Sequence, residues 1–262
     1  MKRGDLAGEA HEARRLVLEC ALASGSCHIG SSLSLVDVLT VLYGAVLRRG
    51  DAFLLSKGHA AAGFYAVLAR AGVIDPDALV DGYCRDGGTF PGHPERGLPG
   101  VEITGGSLGH GLSIAVGRAL AARHDGNGAR TFCLLGDGEL NEGSVWEALS
   151  LAGHLGLPGL VAIVDANGLQ GLGRAAEVLD FEPLGAKLAA FGWEARECDG
   201  HDHAALEAAL APGSRPVAVV ARTVKGFGVD FMEDELMWHY RSLRPEDRAR
   251  VLEALDGARR AA

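Results

Sequence analysis

The stretch Thr131-Phe132-Cys133-Leu134-Leu135-Gly136-Asp137-Gly138-Glu139-Leu140-Asn141-Glu142-Gly143 decides the fold. Thr131 to Leu135 is a short apolar run of the length and composition of a buried strand. Gly136 to Gly143 reads as a loop, and Ser144 to Leu155 as a helix. Leu160 to Val164 then supplies a second buried strand, which makes the segment a βαβ unit. Such units bring their strands together in parallel, with the helix on one face of the sheet.

The same alternation extends in both directions. Upstream, Ala52 to Ser56 is a short apolar run that turns through Lys57-Gly58-His59 into an alanine-rich helix over about 60–71. Two more helices precede it. One runs over about 8–24 with Gly25 as its stop, and one starts after Ser34 with Leu35, Val38, Leu39 and Leu42 on one face. The segment Gly82 to Gly106 is dense in glycine and proline and reads as a long irregular loop, of a kind usually kept for function, before a helix over about 108–123. Downstream, strands over 194–198 and 217–221 alternate with helices near 181–190 and 203–210. The expected fold is therefore α/β, a parallel sheet flanked by helices on both faces. The chain is read as a single domain over 1–262, with an alanine- and arginine-rich stretch from about 257 as a candidate unstructured tail.

Composition narrows the classes of function. The 262 residues carry 25 Lys and Arg against 34 Asp and Glu, a formal charge of −9 without charge runs, which argues against a nucleic-acid partner. The five cysteines lack a Cys-x-x-Cys pair and read as reduced thiols. The first residues contain neither a signal-peptide core nor a membrane span, so no membrane is expected and the cytoplasm is the expected compartment.

Ligands of open parallel sheets settle at the carboxyl ends of the strands, where Gly136-Asp137-Gly138 falls. The glycines would let the backbone approach a diphosphate, and the Asp137 carboxylate can take a magnesium-sized cation that bridges phosphate oxygens. Further oxygen ligands can come from the loop after the next strand, namely the Asn167 amide and the Leu169 backbone carbonyl. Gly-Asp-Gly alone reads more readily as a plain turn; Asn167, after an intervening helix and strand, shifts the reading to the metal site.

With those residues in hand, Leu135 to Gly143 through Asn167-Gly168-Leu169 resembles the thiamine diphosphate signature of transketolases. Cys27-His28-Ile29-Gly30, Leu33-Ser34 with Asp37, Leu55-Ser56-Lys57-Gly58-His59, Gly92-His93-Pro94-Glu95 and Thr104 to Gly111 follow in transketolase order, so the resemblance covers about 10–245. It implies thiamine diphosphate and Mg2+, or Ca2+ or Mn2+, as cofactors. Metal ligands would be Asp137, Asn167 and Leu169. The cofactor would be held by Gly136, Gly138, Glu139, His59, His239 and Lys225, with Gly106 and Leu108 at its aminopyrimidine. His28, His59, His93 and His239 would serve catalysis, and Glu142 a proton network at a subunit interface. A solvated surface lysine is an equal reading of Lys225. Cys27 departs from the family, which usually has glycine there.

Full-length transketolases are far longer and carry a pyrimidine domain with the glutamate that activates the cofactor. The resemblance therefore implies the N-terminal subunit of a split transketolase, which moves a two-carbon ketol unit from a ketose to an aldose. It would work with a separate C-terminal subunit bearing the pyrimidine-binding domain, as an α2β2 assembly acting on a sugar or sugar phosphate. The alternatives are a subunit of another two-component thiamine diphosphate enzyme, acting on 2-oxo acids or specialised sugars, and a non-catalytic regulatory subunit.

Overall fold

The computed structural model describes residue 1 and residues 4–261, without the side chains of 259–261. In chain order the helices α1 (Leu6–Ser24), α2 (Ile29–Ser34) and α3 (Val36–Val41) precede strand β1 (Ala52–Leu55). Next come α4 (Ala61–Arg70), α5 (Pro76–Gly82), α6 (His110–Asp125), β2 (Thr131–Gly136), α7 (Gly143–Leu155) and β3 (Leu160–Ala166). A small hairpin follows, β4 (Leu169–Gln170) with β5 (Gly173–Arg174), and then α8 (Ala175–Val178) and α9 (Leu184–Ala190). The chain closes with β6 (Glu194–Asp199), α10 (His203–Ala209), β7 (Val217–Arg222) and α11 (Arg248–Ala261).

The main sheet is five-stranded and wholly parallel in the order β1-β2-β3-β7-β6. β1, β2 and β3 are buried at every position, which is why they read as continuous apolar runs. Alternate strand residues nonetheless feed two separate cores. Phe53, Leu55, Phe132, Leu134, Val161 and Ile163 pack with α1 to α4, α10 and α11. Leu54, Cys133, Leu135, Ala162 and Val164 pack with α6, α7 and α9 on the other face. The result is three layers, helix, sheet and helix, as the βαβ reading requires.

The differences from the expected elements have local causes. The helix read after Ser34 begins already at Ile29, breaks at Leu35, and ends in a π-helical turn over Leu42–Val46. This Ile29–Val46 stretch is apolar and long enough to cross a bilayer by composition, yet 78% of it is buried inside the fold. The helix read near 181–190 starts at Leu184, after Pro183. α5 and the β4–β5 hairpin are too short to show a period. The candidate tail from about 257 is instead the end of α11, helical to Ala261; residue 262 lies outside the described residues. The segment 82–106 is irregular as expected, tied by the bridges Tyr83 with Phe90 and Arg96 with Leu98.

One close approach sets the spacing between two segments that each carry a histidine. α2 begins directly after His28, and α4 begins directly after the short 3-10 turn that holds His59. These helices touch at Gly63, where a Cβ would lie 2.3 Å from the Ser32 carbonyl oxygen. Both contacting groups are backbone and cannot rotate away. Gly63→Ala should lower stability by about 1–3 kcal/mol, the usual cost of overpacking, read as a reduced urea midpoint. An unchanged midpoint would show that the two helices can part freely.

Candidate active site

β1, β2, β3 and β7 end on one edge of the sheet, and each end delivers a charged or polar side chain. Asp165 of β3 is fully buried and accepts hydrogen bonds from Ser34 Oγ at 2.6 Å, Lys57 Nζ and Thr223 Oγ1. Burial alone would raise its pKa. The Lys57 ammonium and the two hydroxyls outweigh that and hold the carboxyl below its usual range. Lys57, at the end of β1, is 1% exposed. A buried pair of this kind survives because both ions keep partners; removing one of them typically costs about 3–5 kcal/mol.

Asp137 sits beside this pair at the end of β2. Its carboxylate accepts from the Gly138 N–H at 2.8 Å and the Gly168 N–H at 2.6 Å. Burial and the Asp165 charge push its pKa up to about 6. Glu139 turns inward at 2% exposure and accepts from the N–H groups of Gly109 (2.8 Å) and Gly136 (3.2 Å) and from Ser56 Oγ. It thereby ties the Gly-Asp-Gly turn to the start of α6. A Cβ on Gly138 would lie 2.6 Å from Gln170 Cβ, so the β4–β5 hairpin can seat here only over glycine. Around Gly136 the nearest atom to such a Cβ is 3.8 Å away, which leaves its backbone open to the cleft.

The oxygens expected as metal ligands converge on the same cleft. Asn167 Oδ1 accepts from the Leu169 N–H at 3.1 Å, and the Leu169 carbonyl accepts from Lys225 Nζ at 3.1 Å. Among the described residues no group of three or more His, Cys, Asp or Glu could hold a metal. A cation here would therefore use one carboxylate, amide and backbone oxygens, and oxygens of its own ligand, which suits Mg2+ or Ca2+. Two observations support the fit. Asp137 is a desolvated carboxylate beside another carboxylate, a position that a cation would relieve. Gln170 Nε2 is a buried donor in the cleft wall without a partner among the described residues, which a phosphate oxygen would satisfy.

Four histidines from four segments complete the cleft. The His28 ring lies 4.9 Å from His239, 5.4 Å from His59 and 6.4 Å from His93 between centroids. His28 adopts a left-handed φ of 64°, rare for a residue with a Cβ, and its N–H donates to the His239 carbonyl at 3.2 Å. Lys225 Nζ donates to His239 Nδ1 at 3.1 Å, which assigns the imidazole proton to Nε2. Burial and neighbouring cationic groups favour the neutral form of three of these rings, His28, His59 and His239. The pKa of His59 falls to about 2 through burial and Lys57, and that of His239 to about 3 through burial and Lys225. His28 is lowered by burial and His93. Burial and Lys57 lower Lys225 to about 8. His93 is exposed at the mouth of the cleft.

Every residue given a catalytic, cofactor or metal role from the sequence lines this one cleft except Glu142, which stands exposed as the N-cap of α7. Lys225 is 1% exposed, so its reading as a solvated surface lysine is corrected. Gly106 and Leu108 border the cleft, Gly106 with a φ of 136° that favours glycine. The sequence reading gave no role to Lys57, Asp165, Ser34, Thr223 or Gln170, although Lys57 and Ser34 stand within the motifs quoted. Lys57 directly follows an apolar strand, and a lysine there is the one signal that could have drawn attention to it. The cleft measures about 280 Å³, at the small end of ligand pockets.

Residues 8–257 match the family described as transketolase, thiamine diphosphate binding domain. The chain is 39% identical over 255 residues to one of the named subunits of the apulose-4-phosphate transketolase of Actinobacillus succinogenes, a match that covers 92% of each chain. It is 37% identical over 256 residues to a 6-deoxy-6-sulfo-D-fructose transketolase subunit of Clostridium sp., covering 92% of this chain and 93% of that one. Among solved structures, the transketolase from Leishmania mexicana superposes with a TM-score of 0.86 at 31% identity, over 96% of this chain and 41% of that chain. The chain thus spans about two fifths of the length of that solved relative.

The depressed histidine pKa values link the site to stability. The folded values of His59 and His239 lie below the ordinary 6.5, so the unfolded chain binds more protons once the pH drops below 6.5. The contribution of these two histidines is complete above about pH 6.5 and should decline between 6.5 and 5, with a slope of up to about 1.4 kcal/mol per pH unit for each histidine. Urea unfolding at stepped pH measures the slope, and His59→Phe should flatten it. An identical slope in that variant would mean that His59 is protonated in the fold.

Proposed function

The chain belongs to the transketolase family, within its thiamine diphosphate binding domain, and on that footing we propose that it is the cofactor-holding N-terminal subunit of a two-chain transketolase. The observation that carries the reading is the convergence of Asp137, Asn167, Lys225 and four histidines on one cleft at the carboxyl edge of the sheet. Bound thiamine diphosphate supplies a carbanion equivalent, the chemistry needed to break and remake a carbon–carbon bond next to a ketose carbonyl. The chain's own part is to bind, orient and move protons.

In this reading the Gly136 and Gly138 backbone and Lys225 take the diphosphate, while Asp137, Asn167 and the Leu169 carbonyl take Mg2+, with Ca2+ or Mn2+ able to replace it. The Leu169 carbonyl would exchange the Lys225 ammonium for the metal, which frees that ammonium for phosphate. His28 and His239, neutral at pH 7, are able to donate to or accept from a sugar carbonyl or hydroxyl. His93, exposed at the mouth, meets the substrate on entry. Gly106 and Leu108 border the place for the aminopyrimidine. Glu142, exposed on this chain, would enter a proton network only once a second subunit covers it.

The partner in this proposal is a separate C-terminal subunit with the pyrimidine-binding domain, in an α2β2 assembly. Support comes from relatives of almost the same length that are themselves named as subunits. Their names pair the activity with a sugar phosphate and a sulfo sugar, and a ketose with an anionic end is the proposed substrate class. A soluble, cytoplasmic enzyme goes with this reading, supported by five cysteines that all remain free thiols.

Two substitutions separate binding from turnover. Asp137→Ala should weaken thiamine diphosphate binding in the presence of Mg2+ by about 10–100-fold, measured by calorimetric titration. His93→Ala should leave that affinity within about threefold and lower kcat of the reconstituted pair by at least about 100-fold. The reverse pattern would invalidate the roles assigned. Without its partner the chain should show no measurable ketol transfer, and appreciable turnover would refute the two-chain assignment.

A further inference from the structure

A second polar cluster lies outside the cleft, behind the segment that carries Lys225. Asp37 of α3, 3% exposed, accepts hydrogen bonds from Arg14 of α1, from His201 Nδ1 at 2.7 Å and from His203 Nε2 at 2.9 Å. Burial would raise the Asp37 pKa, but Arg14 and the two imidazoles outweigh it and keep the carboxyl well below its usual range. None of these four side chains lines the cleft.

His201 connects the cluster to the strand end. Its Nε2 accepts from the Val224 N–H at 2.9 Å, so its ring proton resides on Nδ1 and points at Asp37. One face of the ring stacks on Phe227, with centroids 3.5 Å apart and planes 14° from parallel. The loop that bears His201 sits directly on the end of β7. The Gly200 N–H donates to the Arg222 carbonyl at 2.7 Å, and a Cβ on Gly200 would lie 2.3 Å from Thr223 Cγ2.

The bond to Val224 falls one residue before Lys225. One residue after it, the Gly226 N–H donates to the Gly30 carbonyl at 3.0 Å. Lys225 is therefore held between two backbone anchors, one on the loop before α10 and one on α2, while its ammonium reaches the Leu169 carbonyl and His239 Nδ1. Freed from either anchor, a glycine-rich segment such as Lys225-Gly226-Phe227-Gly228 has many other conformations open to it.

We propose that His201 is a positioning residue for the cofactor site: held by Asp37, its Nε2 fixes the Val224 N–H and so places the Lys225 ammonium in the cleft. The inference rests on the reading of the cleft as the diphosphate site. It assigns Asp37, His201 and Val224 to one relay from α3 to the strand end, separate from the histidines that face the substrate.

Two substitutions on the whole chain test it, because they keep different halves of the imidazole. The side-chain nitrogen of Asn matches Nδ1, and the side-chain oxygen of Gln matches Nε2. His201→Asn keeps the link to Asp37 and loses the acceptor for Val224, whereas His201→Gln does the opposite. Both lose the stack on Phe227, so a merely structural role would affect them alike. Two readouts apply: amide hydrogen exchange at Val224 by NMR without any ligand, and calorimetric titration with thiamine diphosphate and Mg2+. His201→Asn should speed Val224 exchange and weaken cofactor affinity, each by about tenfold, and His201→Gln, which keeps the acceptor but loses Asp37 as its brace, should show a smaller change of about threefold in both. Equal behaviour of the two variants in either readout overturns the relay. If the unaltered chain binds no thiamine diphosphate, the reading of the cleft fails instead, and the exchange comparison alone then decides the bond from His201 to Val224.

Discussion

The site depends on the buried pair of Lys57 and Asp165. Both side chains are almost wholly removed from water, so neither tolerates loss of the other, and both are satisfied only while β1, β3, α2 and β7 keep their places. That single requirement fixes four elements relative to one another at the carboxyl edge of the sheet. It also sets the electrostatics nearby. The Asp165 charge helps raise the pKa of Asp137, and the Lys57 charge contributes to the lowered pKa of His59 and of Lys225. The cleft wall thus carries the carboxyl groups of Asp137 and Glu139 together with the ammonium groups of Lys57 and Lys225, groups of both signs that a metal diphosphate complements.

Close backbone approach is the second constraint. Gly63 lets α4 meet α2, Gly138 lets the hairpin meet the Gly-Asp-Gly turn, and Gly200 lets the loop before α10 meet the end of β7. In each case a methyl group would collide within 2.6 Å. The histidines themselves come from irregular segments of distant parts of the chain, and the fold brings the rings of His59, His93 and His239 to within 6.4 Å of the His28 ring.

The sheet was legible in the sequence because β1, β2, β3 and nearly all of β7 are buried on both faces and stand out as apolar runs between helical periods. β2, β3 and β7 were read to within about two residues at their ends. The turn at Gly136 and the loop at Asn167 were legible for the same reason, since each directly follows a strand. The resemblance implies Glu139 as a cofactor residue; in the fold its carboxylate faces inward, to Ser56 and the backbone of Gly109 and Gly136. Lys57, Asp165 and His201 carry no local pattern that reveals their partners, and the position of Lys57 after an apolar strand is the one local cue. Their partners lie 108 residues away for the first two and 164 for the link from His201 to Asp37, and only the folded chain brings them together.

A crystal structure of the chain with thiamine diphosphate and Mg2+ bound tests the central claim most directly. The account predicts the diphosphate against the Gly136 and Gly138 backbone, the metal on Asp137 and Asn167, and the Lys57–Asp165 pair intact beneath them. Diphosphate density elsewhere on the chain, or a Lys57 ammonium drawn away from Asp165 on binding, would contradict it.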